Sequence, residues 1–329
     1  VSASPSGGAA PLAGPVPAPA APAPPACGDG PALVASLSTR DKLAQLLMVG
    51  VRNAADARAV VETYHVGGIM IGSWTDLSML TDGSLPDTAN AGPLPLAVSV
   101  DEEGGRVSRL ASLIGASPSA RVLAQTQTPD EVYQLALSRG QKMRGLGITV
   151  DFAPVVDVSD QGDDTVIGDR SFSNDPATVT AYAGAYARGL RDAGVLPVLK
   201  HFPGHGHGSG DSHTAGVVTT PPLDQLMQSD LVPYRTLTTE GPVAVMMGHL
   251  EVPGLTGNDP ASLSPAAVNL LRSVGYGGPG FNGPVFSDDL SSMAAIANHY
   301  GVAEAVLRTL QAGVDVALWI TTDEVPAVL

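Results

Sequence analysis

A single cysteine, Cys27, stands among 329 residues. No disulfide can close within the chain, and no cysteine-based zinc cluster can form. Basic residues are also scarce: 17 Lys and Arg face 32 Asp and Glu, a net charge of -15. That balance disfavours nucleic acid, whose phosphates need a cationic surface. It equally disfavours electrostatic docking on an anionic membrane. No apolar run reaches the ~18 residues of a membrane-spanning helix. Charged residues make up only 15% and hydrophobic ones 44%, which argues for a sizeable core and against general disorder. Residues 1–26 lack even the means to pack: they are almost wholly Ala, Pro, Gly and Ser, with no charge. Such a segment is an extended, solvated spacer. Residues 1–30 are therefore read as a disordered stalk and 31–329 as the globular part. The chain opens on Val1, so an upstream segment is expected to have been removed.

What the globular part does contain is a repeating pattern. Eight short apolar runs occur at 46–51, 66–72, 95–101, 148–155, 195–201, 243–249, 284–288 and 314–320. Runs of this kind suit strands buried on both faces of a parallel sheet. Helix signals lie between several of them. Thr128-Pro129 with Glu131 opens one helix that Gly147 stops, and Asp175-Pro176 opens another that Gly194 stops. A third covers "GVAEAVLRTLQAG", ending at Gly313. The fold class is α/β, and eight strands with intervening helices predict a single (β/α)8 TIM-type barrel. Polar residues close several runs: Asp101, Lys200 with His201, His249 and Asp288. In such barrels the C-terminal ends of the strands carry the active site. The eighth run ends nine residues before Leu329, so the closing helix is expected to be short or incomplete.

"KHFPGHGHGSGDSH", from Lys200 to His213, holds four of the seven histidines on a glycine-rich segment. His201, His205, His207, Asp211 and His213 include ligand types that zinc accepts, but a segment with glycine at 204, 206, 208 and 210 makes a poor rigid cage. A catalytic loop is a second reading. Asp211 and His213 are two apart, so an extended backbone turns both to one side and the carboxylate can orient the imidazole. The glycines would then let the loop move as a lid. A solvated turn is the third reading. Asp101, Arg170 and Lys200, taken singly, also have ordinary readings as a helix cap or surface charges.

Four motifs in order, "DEEGGRVSRL", "IGDRSF", "KHFPGHG…GDSH" and "FSDDLS", resemble those of the N-acetyl-β-glucosaminidase branch of glycoside hydrolase family 3. The likeness covers about residues 38–320 and is greatest to mycobacterial lipoprotein members. It implies a single barrel, in agreement with the strand count. It also implies that Asp288 is the nucleophile, that His213 is the general acid/base with Asp211 as its partner, and that Asp101, Arg109, Arg170, Lys200 and His201 bind the sugar. Alternation along a strand suggests that Asp288 and Asp289 face opposite ways; the resemblance alone selects Asp288. His205 is expected to shape the loop, Asp157 to be structural, and His207 has no assigned role. Glu102 and His249 stay open between pocket and structure.

The reaction implied is hydrolysis of terminal β-linked N-acetylglucosamine from muropeptide fragments, with retention through a covalent glycosyl-enzyme. No cofactor or metal is expected. The partner is a small carbohydrate of the N-acetylglucosamine–N-acetylmuramic acid type, and the protein is expected to be a monomer, exported, and tethered upstream of residue 1 as a lipoprotein. Phosphorolysis and a catalytically inactive sugar-binding module are the alternatives.

Overall fold

The computed structural model describes residues 29–210, 217–291, 296 and 300–329. The chain divides into a short unit ending at Ser38 and a large one, Thr39–Leu329. Within the first, Gly30–Ser36 is helical and the Asp29 carboxylate caps it, accepting from the Ala32 N–H at 3.2 Å.

The large unit is built on eight parallel strands, one at each apolar run. They are β1 (Leu47–Val51), β2 (Gly68–Ile71), β3 (Ala97–Val100), β4 (Val150–Asp151), β5 (Leu196–Phe202), β6 (Ala244–Met247), β7 (Val285–Ser287) and β8 (Ala317–Trp319). From β1 to β7 each pairs with its neighbour in sequence, and β8 returns to β1 with Leu47 opposite Ala317. Between β7 and β8 the ring is joined by one bridge, Phe286 to Val316, and by the Leu318 N–H donating to Ser287 Oγ at 2.9 Å. The result is a nearly closed barrel.

Alternation along the strands divides the core in two. Met48, Met70, Val150, Phe152, Val198, Ala244, Met246, Phe286 and Leu318 fill the barrel interior. Their neighbours, among them Val49, Ile69, Val98, Leu199, Val245 and Val285, face outward into the layer beneath the helices. A strand apolar on both faces is what a covered parallel sheet requires.

The main helices are α1 (Ala54–Tyr64), α2 (Pro129–Gly145), α3 (Pro176–Asp192), α4 (Pro265–Arg272) and α5 (Val302–Ala312). The start of α2 is a full capping box: Thr128 Oγ1 accepts from the Glu131 N–H at 3.2 Å while Glu131 accepts from the Thr128 N–H at 3.0 Å. Asp175 caps α3 through the Thr178 N–H. After β8 only the four-residue helix Val325–Val328 follows. The segments leaving the C-terminal ends of β3, β4, β5 and β7 bring the chain's charged motifs to one mouth of the barrel.

Candidate active site

Asp101 follows β3, and two glycines turn the chain immediately afterwards. Gly104 (φ +96°) and Gly105 (φ +55°) both lie in the left-handed region, and a Cβ on either would meet the backbone of residues 118 and 119 within 3 Å. The "EEGGR" turn therefore depends on both, and it delivers two carboxylates with different tasks. Glu102 is fully buried. It accepts from Arg139 Nη2 and Ser108 Oγ at 2.6 Å each and from the backbone N–H groups of Arg109 and Leu110 at 2.6 and 3.0 Å. Glu102 is thus structural: it pins the segment that carries Arg109.

Glu103 is buried and binds two cations. Its carboxylate accepts a bidentate pair from Arg170, Nε and Nη2 each at 2.9 Å, and lies 2.6 Å from Lys200 Nζ. Lys200 also donates to Asp101 at 2.7 Å. Burial alone would push the Glu103 carboxyl up, but the adjacent Arg170 and Lys200 charges hold it well below the usual range. Burial would likewise push the Lys200 ammonium down, yet Asp101 and Glu103 outweigh it and hold it above its ordinary value. Arg170 is raised in the same way by Glu103. The four form one charged network, in which every buried charge has an opposite partner.

Two further arginines fix the segment that presents Arg170. Arg106 donates to the carbonyls of Val166 and Ile167 and to Asp169. Arg121 donates to the carbonyls of Ser159, Gly168 and Ser171 at 2.8, 3.0 and 3.1 Å.

Lys200 and His201 are adjacent at the end of β5, yet both line the cavity. A regular strand would send them to opposite faces. The register against β6 shifts between Leu199 and Phe202, which is where the alternation breaks. His201 Nδ1 lies 2.7 Å from Asp157 Oδ2, and the other Asp157 oxygen accepts the backbone N–H groups of His201 and His205. Asp157 is thus the carboxylate that organises the start of the histidine segment. The His205 ring stands edge-on to His201 at 5.7 Å, and burial with the nearby His201 pushes its pKa down to about 4. His207 Nδ1 sits 2.9 Å from the buried Asp230, whose hydrogen bond raises the imidazole. The ends of the following stretch are tied together where Ser209 and Thr219 exchange backbone hydrogen bonds at 2.9 and 3.0 Å. Asp211 and His213 lie outside the described residues. Among the described residues no group of three or more His, Cys, Asp or Glu is placed to hold a metal ion.

On the far side stands Asp288. Strand β7 ends at Ser287, so the alternation expected for Asp288 and Asp289 does not reach them, and both border the cavity. Hydrogen bonding separates them instead. Asp289 Oδ1 accepts from Ser291 N and Oγ at 2.9 and 2.8 Å. Asp288 Oδ1 accepts only the Asp289 N–H at 2.8 Å, and its other oxygen has no hydrogen-bond partner among the described residues. Burial would raise the Asp288 carboxyl, but His249, His201, that N–H and Lys200 together hold it below its usual value, so it is ionised at neutral pH. His249 itself binds Ser262 Oγ and the Asp289 carbonyl, which fixes the peptide beside Asp288.

Asp101, Arg109, Arg170, Lys200, His201 and Asp288 therefore surround one cavity of about 560 Å³. Glu103, Arg106 and Arg121 were not picked out from the sequence. None of the three had a signal there, because which buried cations share an anion and which carbonyls an arginine reaches depend on tertiary contacts.

The model of the glycosyl hydrolase family 3 N-terminal domain matches residues 38–328. A beta-hexosaminidase of Mycobacterium tuberculosis is 72% identical over 313 residues, 94% of this chain and 80% of that protein. A crystal structure of a family 3 glycosyl hydrolase from Mycobacterium smegmatis superposes with a TM-score of 0.89 at 78% identity, covering 90% of this chain and 89% of that one. A family 3 beta-N-acetylglucosaminidase from a Paenibacillus species gives 0.80 at 31% identity, over 89% of this chain and 57% of that one.

Proposed function

The chain belongs to glycosyl hydrolase family 3, and on that footing we propose that it is a retaining exo-β-N-acetylglucosaminidase acting on muropeptide fragments. At the coarser level it is a glycoside hydrolase with beta-hexosaminidase activity. The observation that carries the finer reading is Asp288. It is an ionised carboxylate with one oxygen unengaged among the described residues, across a cavity from a ring of charged groups suited to sugar hydroxyls.

In the proposed mechanism Asp288 attacks the anomeric carbon and the C–O bond to the leaving sugar breaks. Protonated His213 gives its proton to the departing oxygen. Neutral His213 then takes a proton from water, whose oxygen displaces Asp288 and restores the original configuration. Asp211 orients the imidazole. Arg109, Arg170, Lys200, Asp101 and His201 hold the sugar through charged hydrogen bonds. The Arg109 guanidinium lines the cavity with no partner among the described residues, which suits a group awaiting substrate. An exported, tethered protein at the cell envelope fits the uncharged Ala- and Pro-rich N-terminal stretch.

A 5-fluoro N-acetylglucosaminyl fluoride tests the central step, because it forms the glycosyl-enzyme and releases it slowly. The adduct should map to Asp288, and Asp288→Asn should lower kcat on an aryl N-acetylglucosaminide by about 10⁴ or more with the fold intact. Asp289→Asn should cost far less. An adduct on another residue, or reversed severity, would overturn the assignment.

A further inference from the structure

The cavity is unequal around its circumference. The charged side chains come from the segments after β3, β4 and β5, with Asp288 after β7. The arc formed by the ends of β8, β1 and β2 presents Trp74, Ile320 and Leu318 instead. Trp74 is the unusual member. It is an aromatic side chain bordering the cavity while keeping 43% of its surface exposed. Its indole lies over two glycines at the strand ends: a Cβ on Gly72 would come within 2.3 Å of the ring, and one on Gly50 within 2.7 Å. Thr75 locks the turn beneath it, accepting the Gly72 N–H at 2.9 Å and donating to the Val51 carbonyl at 2.7 Å. The benzo end of the ring is thus seated on backbone, and 43% of the residue's surface stays open to solvent.

We propose that Trp74 is the platform of a second sugar subsite, stacking on the apolar C–H face of the leaving-group sugar. This rests on the hexosaminidase reading above. The sugar that is cleaved off needs hydroxyl ligands, and those lie on the β3–β5 side. A pyranose on the other side of the scissile bond meets an arc that contributes no charged side chain to the described cavity lining, where an aromatic face supplies the contact. The glycines at 50 and 72 are what allow the indole to lie so close to the backbone. Recognition of the leaving group is therefore by shape and stacking, and it extends to any β-linked saccharide with an accessible C–H face.

The chain offers its own reporter, because it has two tryptophans and the other, Trp319, is fully buried. Titration with a cleavage-resistant, thio-linked N-acetylglucosamine disaccharide should shift or quench the emission, and free N-acetylglucosamine should not. In kinetics, Trp74→Ala should lower the ratio of kcat/KM for the oxygen-linked disaccharide over methyl β-N-acetylglucosaminide at least tenfold. Trp74→Phe should keep that ratio within about threefold. Equal losses on both substrates, as from a purely structural plug, would overturn the proposal. So would an emission response to the monosaccharide as large as that to the disaccharide. If the wild-type protein cleaved neither glycoside, the hexosaminidase reading would fall. The thio-disaccharide titration would still decide the platform, a response supporting it and silence overturning it.

Discussion

Glu103 shows how a single residue can hold a site together without being an obvious candidate. It is the anion shared by Lys200 and Arg170, both among the proposed sugar ligands. Glu103→Gln keeps the shape but leaves two buried cations with one fewer counter-charge. Breaking such a network costs about 3–5 kcal/mol, and misplaced ligands should lower kcat/KM by about 100-fold. A Tm measurement and a kinetic assay check both. His205 gives a pH signature. Its folded pKa is about 4, below the ~6.5 of a free imidazole. The unfolded chain therefore binds the proton more readily, and the stability tied to neutral His205 is present above pH ~6.5 and lost as pH falls toward 4. The loss is at most about 3 kcal/mol. His205→Asn should flatten that limb of the unfolding free energy against pH, as followed by urea denaturation.

The histidine segment teaches a different lesson at the scale of an element. Its glycines suggest a swinging lid, but from His201 to Gly206 the backbone is tightly packed. A Cβ on Gly206 would lie 1.9 Å from the Val158 carbonyl oxygen, and one on Gly204 would lie 2.6 Å from Asp230. These glycines serve close approach, which sequence cannot distinguish from freedom, because the same missing side chain permits both. Gly206→Ala should destabilise the protein by about 1–3 kcal/mol, since backbone cannot yield as a flexible side chain does. Activity should fall with it, as His201 is displaced. Gly145→Ala, at the end of α2 in open space, is the control and should leave the Tm within about a degree or raise it. A thermal melt of the two variants separates packing from chain flexibility.

Across the whole molecule, charge bears on the acceptor. A neutral imidazole as acid/base would tolerate an incoming phosphate, yet the net charge of -15 works against collecting a dianion. Within the described lining, Lys200 and Arg170 are bound to Glu103, and Arg106 to Asp169 and backbone carbonyls. That leaves Arg109, proposed for the sugar, and no ready phosphate pocket. N-acetylglucosamine should therefore dominate the products even in millimolar phosphate, as read by NMR. Predominant sugar 1-phosphate would sink the hydrolytic reading.

The barrel was legible in the chain because its signal is local. A strand covered on both faces must be apolar along its length, so each of the eight runs declared itself, and the charged residues closing them marked the mouth. The ordered motifs brought the family, and with it Asp288, which no rule of alternation selects. What only the tertiary structure decided is who meets whom. Glu103 reaches Arg170 and Lys200 from three different strand ends, and Lys200 and His201 share the cavity because the β5 register slips beside β6. Trp74 lies against the backbone at the cavity's border only because Gly50 and Gly72, at neighbouring strand ends, carry no side chain. Such meetings depend on register and loop path between segments far apart in sequence, and local residue preferences do not encode them.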